Sequence, residues 1–369
     1  MKPYDLFVVV QPGLEKFAKA ELNKLGITAI TQTKGGLICK GHLTTVIKIN
    51  IYCRCVSRVL VDLGTFFADN FRSLERGIKE IDWQSFINPA QVPDFCLRVA
   101  SFQSSLYHEK AVSDRILKTL GEVYKKELSV VSTVDDRTQL IVVHIRNNRV
   151  TIRLDSSGMH LHKRGYNKFT ELAPLRETIA AAMIYAAEWQ ESGKQLRDPM
   201  CGSGTIPIEA ALLSSAVTWD RFRDFRFKHW VCYTADLLPK ARSDNFFSNT
   251  PNQALILASD LDAKSIDTAR QNAIKAGVEN AIEFRHEALE AAADNDLANS
   301  CIITNPPWGL RLSDDGADSI YQELSAMGEK AAKLVVIHPS DNSDQFPRHT
   351  VLFQTKSGDI RLQCICVDK

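Results

Sequence analysis

Apolar positions along the first part of the chain alternate between two periods. "YDLFVVV" is a near-continuous apolar run that predicts a strand. Leu14, Phe17, Ala18, Leu22 and Leu25 then recur at helical spacing, and Gly26 supplies the stop. "GGLICKG" predicts a short strand, "HLTTVIKINIYC" a helix and "SRVLVDLGTF" another strand. A second mixed stretch follows, with a helix near 71–80, a strand "DFCLRVAS" and a long helix within 109–127. It closes with two strands, "QLIVVHIRNN" and "RVTIRLDSSG", joined by a hairpin turn at Asn147-Asn148. "MHLHKRGYNK" has no apolar period, is dense in basic residues and histidine, and reads as a linker.

From Leu172 the pattern becomes a regular alternation. "PLRETIAAAMIYAAEW" predicts a helix with Pro174 in its first turn, followed by the strand "KQLRDP" and the helix "GTIPIEAALLSSAV". "NQALILASD" is a strand, "AKSIDTARQNAIKAG" a helix ended by Gly277, and "AIEFRHE", "NSCIITNPP" and "AAKLVVIHP" are further strands. Two β-rich stretches, "HTVLFQT" and "DIRLQCICV", complete the chain. This order implies a mainly parallel, doubly wound α/β sheet. The earlier β-α-β-β order fits a ferredoxin-like unit.

Composition adds limits. With 369 residues and 44% apolar content, a soluble protein of two or three domains is expected. No apolar run reaches the roughly 18 residues of a membrane span, and the N-terminus reads as a strand and helix start rather than a signal peptide. Nine cysteines, several in strand-like contexts (Cys39, Cys96, Cys301), fit free thiols in a reducing cytoplasm. The C-x-C pairs Cys53/Cys55 and Cys364/Cys366 read as same-face strand cysteines, and no metal is expected. The net charge of +1 conceals a split. Residues 1–165 carry 24 Lys+Arg against 16 Asp+Glu, and residues 166–369 carry 21 against 28. A basic front half suggests that it meets a polyanion while the back half holds another ligand.

The candidate chemistry begins at "DPMCGSGTIPIEA", residues 198–210. Pro207 stands where a dinucleotide fingerprint needs its third glycine, and a P-loop would need a lysine that is absent. Asp198 would repel a phosphate but could hold an ammonium group. The loop Met200, Cys201, Gly202, Ser203, Gly204 and Thr205 therefore fits S-adenosylmethionine, which carries an amino group, a carboxylate and a ribose. Asp260, with Leu261 after it, ends the next strand where an acid accepts from ribose hydroxyls, and Glu287 ends the third, placed to read the adenine amine.

"TNPPWGLRL" follows the fourth strand. Two prolines fix the backbone, leaving the Asn305 side chain and the Pro306 carbonyl, before Pro307, to accept from an amine conjugated to a planar ring. Trp308 offers that ring a stacking face. Such a motif suits guanine N2, adenine N6, cytosine or a protein glutamine equally, and a catalytically silent RNA-binding assembly factor is a further reading. In "WDRFRDFRFKHW" the spacing predicts Phe222, Phe225 and Trp230 as packing residues. Its arginines, Arg221 and Arg223 among them, are expected to face outward toward RNA, with Lys163 and Arg164 of the linker.

Across "CRCVSRVL", "IDWQSFI", "LDSSGMHLHKRGY", "APLRETIAAAMI", "DPMCGSGT", "SDLD" and "NPPWGLRL" the chain resembles the THUMP-domain RNA methyltransferases. It is most similar to the bacterial enzymes that make N2-methylguanosine in large-subunit ribosomal RNA. The resemblance implies a ferredoxin-like unit over 1–64, a THUMP RNA-binding module over 65–165 and a class I (Rossmann-like) methyltransferase domain over 166–369. It implies that Asp198, Gly202, Gly204 and Glu177 line the methionine part of the cofactor, that Asp260 holds the ribose, and that 305–308 take the base. It also implies a ribosomal RNA partner, with transfer RNA as the alternative, and no obligate protein partner. The chain departs from the family at Trp308 (usually Tyr), Leu310-Arg311 (usually Glu-Arg), Glu287 (commonly Asp) and Asn167 (commonly Arg). Some relatives carry a second methyltransferase half beyond the point where this chain ends.

Overall fold

The computed structural model describes residues 3–91, 93–135, 137–166, 169, 175–215, 217–242, 255–293, 297–307 and 314–368. The described residues pack into two units. The first is formed from Met1–Val9, Leu22–Leu161 and Arg223–Asp244, the second from Val10–Glu21, His162–Phe222 and Asn245–Lys369. Residues 10–21 group with the second unit and 223–244 with the first.

The chain begins β1 (Tyr4–Val10), α1 (Glu15–Lys24), β2 (Thr31–Thr33), β3 (Gly36–Gly41), α2 (Leu43–Tyr52), β4 (Val56–Phe67), α3 (Phe71–Glu80), β5 (Asp94–Phe102), α4 (Glu109–Tyr124), β6 (Thr138–Arg146) and β7 (Arg149–Asp155). All seven strands share one sheet, in the order β2-β3-β1-β4-β7-β6-β5. The two mixed stretches of the sequence are thus one continuous layer. Asn147 and Asn148 both have positive φ (50° and 59°), the conformation that a two-residue hairpin between twisted strands requires. One face of the β4-β7-β6-β5 half buries Val143, Ile145, Val150, Ile152 and Leu154 under α3 and α4, which contact β4 and β5.

The second sheet is built from β8 (Gln195–Asp198), β9 (Ile256–Asp260), β10 (Ile282–His286), β11 (Ser300–Thr304), β12 (Lys333–Pro339), β13 (His349–Ser357) and β14 (Ile360–Val367), in the order β10-β9-β8-β11-β12-β14-β13. The first five run parallel, while β14 and β13 pair antiparallel. Its helices are α5 (Glu177–Ala186), α6 (Trp189–Ser192), α7 (Thr205–Ser214), α9 (Ala263–Ala276), α10 (Leu289–Ala293) and α11 (Asp314–Lys330). The helix α8 (Leu237–Arg242) belongs to the first unit. The apolar runs of β11 and β12 are buried because helices cover both faces of a parallel sheet. The strand order reverses between β8 and its neighbours β9 and β11, the position at which sheets of this kind bind ligands beyond the carboxyl ends of their strands.

Several expectations are corrected. "MHLHKRGY" is no linker, because Leu161, Arg164 and Tyr166 are buried. Cys53 caps the end of α2 and Cys55 precedes β4, so this C-x-C pair does not lie on a strand. The helix α11 was not anticipated. Pro174 lies outside the described residues. Among the described residues no helix is long and apolar enough to cross a membrane, and no group of His, Cys, Asp or Glu is arranged to hold a metal.

Candidate active site

Asp198 is the last residue of β8 and is buried to 1% exposure. Its Oδ1 accepts from the Thr304 hydroxyl at 2.8 Å and from the Met200 amide at 3.4 Å. Burial pushes its carboxyl up to about 7. The nearby Asp260 pushes the same way, while the bonds from Thr304 and Met200 oppose it. The group is therefore poised between its two charge states near neutrality, and a cation beside it would favour the ionised one.

The loop after Asp198 is held from behind. Cys201 N donates to Ser259 O at 2.9 Å, and Gly202 N donates to the Asp260 carboxylate at 2.9 Å. The other Asp260 oxygen accepts from Asp262 N at 3.0 Å, and Asp262 itself caps α9. The two glycines differ in what they do. Gly202 has φ +52° and no atom within 4 Å of where a Cβ would lie, so its backbone borders open space. Gly204 has φ +82°, and its Cβ would meet the Ala269 methyl at 3.0 Å, so it permits close packing of the loop on α9. The Cys201 thiol is buried, and burial raises it well above the usual thiol range. Met200 packs against the apolar cluster of Leu324, Met327 and Phe346.

The remaining expected residues fall at the ends of neighbouring strands. Leu261, directly after Asp260, is 73% exposed despite its size. Its carbonyl accepts from His286 Nε2 at 2.9 Å. Glu287 follows β10; its amide donates to Asp260 O at 3.2 Å, and its Oε1 is a buried acceptor without a partner among the described residues. Asn305 follows Thr304 directly, and its Oδ1 is likewise buried and unpartnered. Buried acceptors are normally satisfied, and the described residues supply no donor to these two, which follow the strands on either side of β8 and β9. Pro306 is buried and Pro307 half-buried. Glu177 lies in the first turn of α5; its charge adds to that of Glu209, which raises the Arg164 group against the effect of burial, and to the burial that raises the Tyr166 group. Trp308, Leu310 and Arg311 lie outside the described residues, as does Asn167.

The sequence reading missed Thr304 and Asn272. Asn272, on the buried stripe of α9 with Ile266, Ala269, Ala273 and Ala276, donates to Ser203 O and Phe169 O at 3.0 Å and accepts from Phe169 N at 2.7 Å. It ties the glycine loop to the segment around 169. A polar residue inside an otherwise apolar helical stripe was the available signal.

Two expected RNA contacts are overturned. Arg164 is fully buried, paired through Nε and Nη2 with both oxygens of Glu209 at 3.0 and 2.9 Å, with its guanidinium 4.3 Å from the Trp219 ring. Arg223 is buried and donates to the carbonyls of Ser157, Met159 and His160. Arg226 is buried too, bonded to Gln139 and Arg137 O. Of the expected RNA contacts, Lys163 and Arg221 remain exposed.

Comparison with known proteins places these features in context. Residues 5–60 match the RlmL ferredoxin-like domain, residues 68–155 the THUMP domain, and residues 164–345 the RMKL-like methyltransferase domain. YpsC of Bacillus subtilis (strain 168), an RNA methyltransferase by name, is 31% identical over 88% of this chain and 84% of its own length. The ribosomal RNA large subunit methyltransferase K/L of Syntrophotalea carbinolica is 31% identical over 89% of this chain. The chain spans 47% of that relative's length, so it corresponds to about half of the K/L proteins. Among solved structures, SMU.472, determined in complex with SAH, is 25% identical and covers 99% of this chain and 98% of its own, with a TM-score of 0.82. A Listeria monocytogenes protein described as a predicted N6-adenine-specific DNA methylase is 27% identical over 99% of this chain and 96% of its own, with a TM-score of 0.82.

Proposed function

Since the chain belongs to the THUMP-containing family of RMKL-like RNA methyltransferases, we propose that it methylates the exocyclic N2 amine of a guanine in ribosomal RNA. S-adenosylmethionine is the methyl donor, and the reaction is cytoplasmic. The observation that carries this reading is the Asn305 Oδ1, a buried acceptor with no partner among the described residues, one residue from the Thr304 that binds Asp198.

The residues present fit the cofactor. Gly202 leaves open space at a loop whose backbone can be approached closely, Glu287 Oε1 is an acceptor awaiting a donor, and Asp198 ionises readily beside a cation. Asp198 and the 200–205 loop would hold the methionine part, with Glu177. Asp260 would accept from the ribose, exposed Leu261 would cover the adenine face, and Glu287 would accept from the adenine amine. When bound, the cofactor supplies an electrophilic methyl on a sulfonium.

Asn305 Oδ1 and the Pro306 carbonyl would accept from the two hydrogens of the guanine amine. That nitrogen is a weak nucleophile because its lone pair is delocalised into the ring. Two fixed acceptors orient the lone pair and favour its localisation, so catalysis rests mainly on positioning. Trp308, just beyond, would stack on the flipped base.

A basic front half and a THUMP match favour RNA over protein glutamine as substrate. The test is transfer of labelled methyl to total RNA from a strain lacking the protein, followed by nucleoside analysis. N2-methylguanosine is the expected product. N6-methyladenosine would overturn the choice of base, and no transfer to RNA would overturn the reading.

A further inference from the structure

On the face of the β4-β7-β6-β5 sheet away from α3 and α4, Cys96, Leu140 and Asp155 are buried toward one end of the strands, while the end that carries the 146–149 hairpin is exposed. At that exposed end register partners share a side, and the pairings Phe67↔Arg149, Arg149↔Arg146 and Arg146↔Phe102 form one unbroken row across four strands. Phe67 is 59% and Phe102 57% exposed, unusual for rings of this size. Arg146 and Arg149 are exposed between them. Strand spacing puts the two rings roughly 14 Å apart.

The row is held in place. Asn147 N donates to Phe102 O at 3.3 Å and Ala68 N to Asn148 O at 2.8 Å. Asn148 also bonds Ser104 Oγ at 3.1 Å and Ser105 N at 2.7 Å. The hairpin turn is thereby stitched to the ends of both aromatic strands. The next row inward is Thr65, Thr151, His144 and Ala100, with the His144 ring 5.8 Å from Phe102. Burial and the charges of Arg153 and Arg146 lower the His144 group, as a positive surface requires. Beyond it, Arg98 is exposed, and Arg153 bonds Asp62 at 2.6 Å and lies 4.3 Å from the Phe7 ring. Guanidinium and ring already pair on this face. Carboxylates here carry their own cations, Asp62 with Arg153 and Asp5 with Lys40.

We propose that this exposed end of the sheet face is a stacking platform for a single-stranded stretch of the substrate RNA, with Phe67 and Phe102 each taking a base and Arg146 and Arg149 taking the phosphates between. The proposal rests on the RNA methyltransferase reading and names the surface that would present the strand. Alternating ring and guanidinium fit a single strand, whose bases are free to splay. A duplex keeps its bases stacked internally, and a protein partner would find no acidic complement in the rings.

The test measures binding of a short labelled single-stranded RNA of mixed sequence to the full chain. Phe67→Ala with Phe102→Ala should weaken binding at least about tenfold with the salt dependence unchanged. Arg146→Gln with Arg149→Gln should weaken it and make the log–log salt slope shallower by roughly 1.4. Phe67→Tyr with Phe102→Trp should restore affinity, and all variants should bind adenosylmethionine as the parent does. If the parent binds and methylates RNA and the variants match it, the platform is wrong and the functional reading stands. If the parent neither binds nor methylates RNA, the functional reading fails and the platform with it. A parent dimer that the Phe pair converts to a monomer without loss of RNA affinity would assign the face to a second copy and overturn the proposal.

Discussion

Thr304 and Asp198, 106 residues apart in sequence, meet at 2.8 Å where β11 lies beside β8. The hydroxyl that holds the candidate cofactor carboxylate thus sits on the residue before the candidate catalytic amide. This junction gives Asn305 a fixed position and makes it separable from cofactor binding. Asn305→Ala should leave adenosylmethionine affinity near normal in calorimetry and lower methyl transfer by about 10²-fold or more. Because the deleted Oδ1 is a buried acceptor without a partner among the described residues, the melting temperature should hold or rise. Full transfer in the variant would remove Asn305 from the reaction.

Asp198 makes cofactor binding dependent on pH. Its carboxyl titrates at about 7 in the ligand-free protein, so below that value a cationic ligand must displace a proton. Affinity for adenosylmethionine should fall by up to roughly tenfold per pH unit below 7 and level off above it. Calorimetry in two buffers of different ionisation heat should register close to one proton released at pH 6. A flat profile from pH 6 to 8 would show that no cation approaches this carboxylate.

The same group shapes stability in the opposite sense. Its folded value lies above the unfolded value of about 3.9. Its contribution to stability is therefore full at the acid end and is lost as pH rises through 7. Asp198→Asn, which can still accept from Thr304, should melt higher than the parent above pH 7. That gain should shrink toward pH 4, while cofactor affinity drops. Thermal melts across this range provide the check.

Asp260 has two tasks, since its carboxylate already binds the Gly202 and Asp262 amides. Asp260→Ala should weaken adenosylmethionine binding at least about tenfold, from loss of one or two charge-assisted bonds of roughly 1.5–3 kcal/mol each. Unchanged affinity in a folded variant would detach this loop from the cofactor.

Arg164 should behave as a core residue. Removing it leaves Glu209 buried without its bidentate partner, so Arg164→Ala should cost roughly 3–5 kcal/mol in denaturant unfolding. Arg221→Ala, on an exposed residue, should change stability by no more than about 0.5 kcal/mol. Similar small effects from both would contradict the buried pair.

Two strand ends were readable because apolar runs give way there to polar pairs, Ser259-Asp260 and Thr304-Asn305, whereas Asp198 closes the short strand QLRD and was marked by the glycine loop that follows it. The roles of Arg164 and Arg223 were not readable. Basic residues interleaved with aromatics look alike whether they meet phosphate or a buried carboxylate, and the deciding partners, Glu209 and the 157–160 carbonyls, lie 45 or more residues away. Phe67 and Phe102 drew no attention for a related reason. Each ends an ordinary strand, and only the register of β4, β7, β6 and β5 brings them into one row.

The chain passes from one unit to the other five times, at about residues 9, 21, 161, 222 and 244. During synthesis the first unit therefore lacks its last piece, 223–244, until after the glycine loop has been made, and the second remains open until β13 and β14 emerge. Residues 10–21 must wait for partners such as Thr355 and Phe353, which are translated more than 300 residues later. Until residue 244 has been made neither unit has all its pieces; from there to β13 a stalled ribosome would hold the first unit complete and the second still open.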